Sequence, residues 1–240
     1  MKELGILVES LLEHARYMRY DYQKFLELII SCRSVDVSSS LRLRCTDGRF
    51  MLILRRIVDL LEKAADTLYL MEAKIKSLLR EGYKPFLVDC LGLAETYGIY
   101  AVVSNICANV SVVIQPYVNM FATTEHFRSK YCATSLAEVA KSFGASLYQQ
   151  STDKLIHEEL GKPQKVENIL AKAKALLLPV IVRIAKDAVG FGKVFIASDH
   201  GYDVTCIPDG ECYFEHKHQS LLARIAPLII INCVSLTLPT

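Results

Sequence analysis

Two apolar segments of the chain run directly into acidic residues. Residues 84–88 (KPFLV) precede Asp89. Residues 193–198 (KVFIAS) precede Asp199 and His200. In open α/β sheets, reactive groups gather at the edge where parallel strands end. We therefore expect two carboxylates and an imidazole to meet at one sheet edge, with a helix cap or a turn as the alternative role for each Asp.

Two further short motifs offer carboxylate and imidazole groups. Asp153 and His157 are four residues apart and share one face if their segment is helical. His216 and His218 fall on the same side of an extended segment. Such side chains can hold a divalent cation, because carboxylate and imidazole are common ligands of zinc and similar ions. The alternative is a solvated i,i+4 pair or a helix cap for the first motif, and a solvent-facing polar strand end for the second.

Two adjacent threonines stand at the start of a predicted helix. A hydroxyl at this position suits a nucleophile that attacks a phosphate, because the orphan N–H groups and the helix dipole favour an anion there. Thr124 and Thr123 are the candidate nucleophiles, and we prefer Thr124 for its spacing to Phe127. The alternative is a threonine N-cap followed by Glu125.

These motifs need elements that bring them together. Apolar positions that recur every three or four residues predict helices over about 2–30 and 52–79. After residue 83, short β-type runs alternate with helical stretches, which predicts an α/β fold with a mostly parallel sheet flanked by helices. We divide the chain into a helical N-terminal appendage (1–82) and an α/β domain (83–240). The predicted strands are 84–89, 110–115, 193–198 and 228–232, with a hairpin near 203–215 and a short strand near 41–45; the predicted helices are 92–109, 124–131, 135–142, 153–160, 166–187 and 219–225.

Composition limits the class of protein. The 240 residues are 52% hydrophobic and 22% charged, which excludes a disordered chain. The formal net charge of +2 is too balanced to favour nucleic acid or an anionic membrane by itself. The longest apolar runs, 175–182 and 227–238, are shorter than the roughly 18 to 20 residues of a membrane span, so we expect no membrane partner.

The cysteine pattern bears on the compartment. Eight cysteines occur without a CxxC pair, and no secretory signal opens the sequence. This pattern predicts free thiols and a cytoplasmic location. Cys206 and Cys212 bracket a turn, so a disulfide between them is the alternative.

The order of the chemical motifs resembles that of the alkaline phosphatase superfamily, and the chain is most similar to its PglZ-domain branch. The resemblance covers about residues 84–235 and rests on VDCLG, ATTEHF, STDKLIHEELG, FIASDHG and EHKHQSLLARIAPLIII. It implies an alkaline-phosphatase-like α/β fold in which the domain 83–240 is catalytic. It also implies two divalent metal ions, zinc first, with manganese and magnesium as alternatives.

The resemblance further implies a role for each motif. Thr124, or Thr123 in its place, is the nucleophile. His218 is the rival of His216, which we prefer because a serine follows it four residues later, as in the PglZ pattern. The implied ligands are Asp153, His157 and His216 for one ion, and Asp89, Asp199 and His200 for the other.

The resemblance therefore predicts a metal-dependent phosphoric-ester hydrolase, either a phosphatase or a phosphodiesterase, in a prokaryotic signalling or phage-defence setting. A nuclease that uses the same ions and a catalytically silent PglZ-like binding or scaffold protein are the alternatives.

The apolar faces of the N-terminal helices predict a homodimer. An arginine cluster offers a nucleic-acid surface, with a solvated face as the alternative. The candidate substrate contacts are Asn119, His126, Lys217 and His218, and the arginines are Arg42, Arg44, Arg49, Arg55 and Arg56.

Overall fold

The computed structural model describes residues 2–34, 45–148, 152–207, 209–217 and 219–233. Four helices form the N-terminal part of this chain. The helices are α1 (Lys2–Tyr17), α2 (Tyr22–Ser34), α3 (Gly48–Lys63) and α4 (Leu68–Arg80). The prediction of two long helices is wrong, because each of them is broken in two. The predicted strand near 41–45 lies outside the described residues, apart from Cys45.

Local turn chemistry causes both breaks. Between α1 and α2, Arg19 adopts a left-handed backbone with a φ of 56°. The Asp21 carboxylate then accepts a hydrogen bond of 2.7 Å from the Lys24 amide. Between α3 and α4, the Asp66 carboxylate accepts one of 3.1 Å from the Leu68 amide. Such bonds satisfy amides that have no partner within the helix, and the spacing of apolar residues does not reveal them.

The remainder of the chain alternates strands and helices, which confirms the predicted α/β class. The predicted strand over 84–89 ends one residue early, and the predicted helix over 219–225 is a short 3-10 turn. The elements are β1 (Lys84–Val88), α5 (Leu93–Ile106), β2 (Val110–Val118), α6 (Thr124–Ser129), α7 (Leu136–Phe143), β3 (Ser146–Tyr148), α8 (Asp153–Leu155), a π-helical turn (Ile156–Leu160), β4 (Gln164–Lys165), α9 (Val166–Phe191), β5 (Lys193–Ser198), β6 (Asp203–Cys206), β7 (Glu211–Glu215), the 3-10 turn (Leu222–Arg224) and β8 (Ile225–Cys233).

Five strands form one mixed sheet in the order β2-β8-β5-β1-β3. β1 pairs in parallel with β3 and β5, whereas β8 runs antiparallel to both β5 and β2. β2 therefore runs in the same direction as β1, β3 and β5. These four strands end at one edge of the sheet, which we call the carboxyl edge, and β8 begins there. The predicted mostly parallel sheet is confirmed. A smaller sheet, β4-β7-β6, contains the predicted hairpin.

Alternate side chains of the central strands enter two separate cores. In β5, Val194 and Ile196 pack in the core formed with α1, α2, α3, α5 and α9. Phe195 and Ala197 pack in the core formed with α4, α6 and α7. Successive side chains of a strand point to opposite faces, so a strand covered on both faces must be apolar throughout. This burial explains the uninterrupted apolar run that predicted β5.

The N-terminal helices belong to both layers that cover the sheet. The apolar faces of α1, α2 and α3 pack in one core, and that of α4 packs in the other. The predicted domain boundary between residues 82 and 83 falls between α4 and β1, and both cores extend across it. The apolar faces that predicted a homodimer are therefore packed within the chain. The homodimer stays a prediction.

Six of the eight cysteines are paired, so the prediction of free thiols is wrong for these six. The alternative disulfide across the β6–β7 hairpin is present. The spacing of cysteines along a sequence does not reveal which of them meet in the fold. Cys90 is free and buried, and Cys132 is free and exposed. The cytoplasmic location, which depended on free thiols, stays a prediction. The disulfides are Cys32–Cys45, Cys107–Cys233 and Cys206–Cys212.

Within the described ranges, each helix is either too short or too polar to span a bilayer.

Candidate metal centre

Most of the predicted site residues meet at the carboxyl edge of the main sheet. Asp89 follows β1, Asp199 and His200 follow β5, and Thr124 begins α6 after the end of β2. Two further segments complete the cluster. The segment after β3 supplies Asp153 and His157, and the end of β7 supplies His216. The side-chain cluster therefore combines five separate stretches of the chain.

The two threonines hold different positions. The Thr123 hydroxyl accepts a hydrogen bond of 3.2 Å from the His126 amide and so caps α6. The Thr124 hydroxyl donates a hydrogen bond of 2.6 Å to Oδ2 of Asp199 and lies 3.3 Å from Nε2 of His200. Thr124 therefore faces the carboxylate cluster, whereas Thr123 serves the helix.

An amide side chain fixes this threonine segment to the end of β5. Nδ2 of Asn119 donates hydrogen bonds to the carbonyl oxygens of Thr123, at 2.8 Å, and Asp199, at 2.9 Å. Asn119 is buried. It thus holds the backbone beside the site, and its amide hydrogens are occupied by these two bonds.

The pair His200 and Asp199 is fully buried. Nδ1 of His200 lies 2.9 Å from the carbonyl oxygen of Gly201. Because a carbonyl only accepts, the Nδ1–H group donates to Gly201, and Nε2 faces Thr124 and Asp199. A carbonyl partner at the far nitrogen is the arrangement typical of metal-binding histidines.

Asp89 is a buried carboxylate with an unsatisfied oxygen. Its Oδ1 has no hydrogen-bond partner among the described residues. Burial, together with the negative charges of Asp199 and Asp153, raises the pKa of Asp89 to about 8. Its backbone carbonyl accepts a hydrogen bond from the Thr152 hydroxyl, which holds the segment after β3 against β1. Several carboxylates gathered out of water require either protons or a cation.

Two histidines and one carboxylate form the outer part of the cluster. Nε2 of His216 lies 2.6 Å from Nε2 of His157 and 3.1 Å from Oδ1 of Asp153. Nε2 of His157 lies 3.3 Å from the same Asp153 oxygen. Burial alone would raise the pKa of Asp153, but the hydrogen bond from His216 and the nearby imidazoles lower it. The three side chains thus point their donor atoms at one small volume.

The cluster fits divalent cations. The donor atoms of Asp89, Asp153 and His200 lie within 4.8 Å of one another, as do those of Cys90, Asp153 and His216. The unsatisfied Asp89 oxygen and the two imidazole nitrogens that face each other are groups that a cation would satisfy.

Cys90 is a member of this cluster that the sequence reasoning missed. It follows Asp89 directly in the VDCLG motif, and that position is the signal that could have revealed it. The pKa of the Cys90 thiol is raised well above its ordinary value. Burial is the main cause, and the negative charges of the surrounding carboxylates add to it.

The predicted substrate contacts are engaged elsewhere or lie outside the described part. His126 pairs with Asp66, and the Lys217 ammonium lies 2.9 Å from a Glu215 oxygen. His218, the rival metal ligand, lies outside the described residues, as do Arg42 and Arg44. The remaining arginines of the predicted cluster lie exposed on α3: Arg49, Arg55 and Arg56.

A buried polar network below the site also escaped the sequence reasoning. Oε1 of Glu95 accepts hydrogen bonds from the hydroxyls of Tyr22, at 2.8 Å, and Tyr202, at 2.7 Å. The guanidinium of Arg33 forms two hydrogen bonds to Asp203, at 3.2 and 2.9 Å. Both contacts tie α2 to the segment that follows His200. Isolated polar residues in helical sequence gave no signal for these long-range pairs.

The sequence matches no protein-family model, and comparison with curated proteins gives no significant match either. The function must therefore be inferred from the site itself.

Proposed function

We propose that this protein is a metal-dependent phosphoric-ester hydrolase that uses Thr124 as its nucleophile and two divalent cations, zinc first. The proposal depends above all on one observation, the 2.6 Å hydrogen bond from the Thr124 hydroxyl to Asp199 inside a cluster of carboxylates and imidazoles. The order of the motifs along the chain, which resembles that of PglZ-type members of the alkaline phosphatase superfamily, supports it. An alkaline-phosphatase-like fold and a prokaryotic defence setting are part of the same proposal.

The donor atoms fall into two sets in this proposal. Asp153, His157 and His216 would hold one cation. Asp89, Asp199 and His200 would hold the other, beside the Thr124 hydroxyl. Bound divalent cations would supply positive charge that lowers the pKa of a hydroxyl and stabilises charge on phosphate oxygens.

The chain's own residues orient and activate the nucleophile. The Thr124 hydroxyl directs its proton at Oδ2 of Asp199, which leaves an oxygen lone pair to attack phosphorus. The bond from Oγ1 to phosphorus would form as the bond from phosphorus to the leaving oxygen breaks; the Thr124 proton would pass to Oδ2 of Asp199, and the leaving oxygen would take a proton from solvent to become the alcohol. Water then hydrolyses the phosphothreonine and releases phosphate. The buried Nε2 of His200, 3.3 Å from Oγ1, helps to fix the position of the hydroxyl.

Access to the site is uneven, which bears on the substrate. The side chains of Asp199 and His200 are 0% exposed, whereas that of His157 is 58% exposed. A phosphate ester would therefore approach from the side of His157. An opening on that side suits bulky esters, so a phosphodiester is included in the test beside a monoester.

The test is hydrolysis of 4-nitrophenyl phosphate and bis(4-nitrophenyl) phosphate by the full chain with zinc, manganese or magnesium. We expect Thr124→Ala to lower kcat/KM by at least about 10³-fold, because the nucleophile is lost. Thr124→Ser should retain activity, and Thr123→Ala, which removes only the helix cap, is the matched control. Unchanged turnover in Thr124→Ala would reject Thr124 as the nucleophile. If neither ester is hydrolysed with any of the three ions, the enzyme proposal fails and the scaffold alternative gains support.

A further inference from the structure

We propose that the thiolate of Cys90 binds the same cation as Asp153 and His216, and that it gives this site a preference for thiophilic ions such as zinc and cobalt over magnesium. This inference rests on the metal centre of the proposed function. It adds a ligand that the resemblance to the phosphatases does not imply, and it gives a chemical reason for a preference for zinc over magnesium.

The first argument is geometric. The Cys90 sulfur and the donor atoms of Asp153 and His216 lie within 4.8 Å of one another. Nε2 of His157 lies 2.6 Å from Nε2 of His216 and 3.3 Å from Oδ1 of Asp153. One sulfur, two imidazole nitrogens and one carboxylate oxygen make up a donor set that zinc accepts in a tetrahedral arrangement.

The second argument comes from the environment that the cluster provides. Cys90 is buried, and so is Asp89 beside it, with one carboxylate oxygen that has no partner among the described residues. His216 likewise has a buried Nδ1 without a partner there. Unsatisfied buried donor and acceptor atoms are rare in folded proteins, and a bound cation is one way in which such atoms are satisfied.

The third argument is the backbone at Cys90. Its φ of 59° lies in the left-handed region, where glycine would be free of strain. The amide of Cys90 donates a hydrogen bond of 3.1 Å to Oδ1 of Asp199, so this conformation is held in place by the site. This hydrogen bond holds the Cys90 backbone beside the Asp199 carboxylate.

The proton balance of this ligation is simple. When the cation binds, the S–H bond breaks, the proton leaves to solvent and the sulfur donates an electron pair to the ion. Magnesium binds oxygen ligands and gains little from a thiolate, whereas zinc and cobalt gain strongly.

The test is the absorption spectrum of the full chain loaded with cobalt under non-reducing conditions. A cobalt–thiolate bond gives an intense charge-transfer band in the near ultraviolet. We expect this band in the unchanged protein and in Cys132→Ser, which removes the exposed free thiol. We expect it to disappear in Cys90→Ser and in Cys90→Gly. The glycine variant relieves the backbone strain, so it keeps the test decisive if the serine variant folds poorly.

A competition titration provides the second readout. Cys90→Gly should bind zinc at least about 10-fold more weakly than the unchanged protein, with no change in magnesium affinity. Cobalt that binds without a charge-transfer band, or a band that survives in Cys90→Gly, would overturn the role of Cys90 and leave the proposed hydrolase untouched. A protein that binds no cobalt would overturn the role of Cys90, and the hydrolysis assay with zinc, manganese and magnesium would then decide the proposed function separately.

Discussion

The Thr124 hydroxyl and the Asp199 carboxylate are joined by a 2.6 Å hydrogen bond, although 75 residues separate them in the sequence. The second oxygen of Asp199 accepts the amide hydrogen of Cys90 at 3.1 Å. One carboxylate thus connects the segments that follow β1, β2 and β5. The arrangement of the site therefore depends on the relative positions of three parallel strands.

The different roles of the two threonines can be tested at Thr123. Its hydroxyl caps α6, and within the described part of the chain it forms no hydrogen bond to a carboxylate of the cluster. We expect Thr123→Ala to lower the free energy of unfolding by about 1 kcal/mol, the usual effect of losing an N-cap. Urea unfolding measures this loss. A large loss of bound metal in this variant, with the fold intact, would show that the separation of roles is wrong.

Glu95 predicts a specific dependence of stability on pH. Burial raises the pKa of this carboxyl, although hydrogen bonds from Tyr202 and Tyr22 act in the opposite direction. The folded protein therefore keeps the proton to a higher pH than the unfolded chain does. The stabilising contribution is complete below the ordinary value of 4.5 and declines as the pH rises towards the raised folded value.

The replacement Glu95→Gln should remove this part of the pH dependence, because the amide does not ionise and its oxygen can still accept from the two tyrosines. Urea midpoints measured at increasing pH, from below 4.5 upwards, provide the comparison. Glu158→Gln, at an exposed position, is the control. If the urea midpoint changes with pH in the same way in Glu95→Gln and in the unchanged protein, the prediction is contradicted.

The ion pair between Arg33 and Asp203 predicts that α2 stabilises the segment after the site. The Asp203 side chain is only 3% exposed and accepts two hydrogen bonds from the guanidinium. We expect Arg33→Ala to lower the free energy of unfolding by about 3 kcal/mol, because a buried carboxylate loses its cation. Arg33→Lys keeps the positive charge but not the pair of hydrogen bonds, so it should lower the free energy of unfolding by less than Arg33→Ala does. Equal losses in the two variants would show that the retained charge contributes nothing and that the two hydrogen bonds of the guanidinium carry the whole effect.

Disulfide removal should have effects that depend on the length of chain enclosed. Cys107 and Cys233 are 126 residues apart, whereas Cys206 and Cys212 are six apart. If the disulfides act by restricting the unfolded chain, replacing both cysteines of the first pair by serine should lower the free energy of unfolding by about 5 kcal/mol. The same replacement in the second pair should lower it by about 2 kcal/mol. Urea unfolding without reductant measures the difference. Mass spectrometry that finds all these thiols free would contradict the pairing itself.

The sequence predicted those features that depend on local patterns. The apolar runs before Asp89 and Asp199 are buried strands, and their burial on both faces makes the pattern easy to read. Because parallel strands end at one edge, the convergence of Asp89, Asp199 and His200 followed from the predicted topology. The preference for Thr124 over Thr123 is supported by the hydrogen bond from Thr124 to Asp199.

The features that the sequence did not predict depend on long-range contacts or local backbone geometry. The antiparallel direction of β8 results from the path of the chain after β7, which no local pattern encodes. The predicted helix over 153–160 becomes a π-helical turn after three residues, and this turn carries His157. The pairing of cysteines and the place of Cys90 in the cluster likewise appear only when distant segments meet.

The most direct test of the central claim is the metal content of the purified full chain, measured by elemental analysis. We predict about two equivalents of zinc or a similar ion per chain, because the cluster offers two sets of donors. The content should fall in Asp199→Ala and in His200→Ala. It should not fall in His126→Ala, whose histidine pairs with Asp66 away from the cluster. Protein that is isolated without metal and takes up no added zinc, manganese or magnesium would contradict the account.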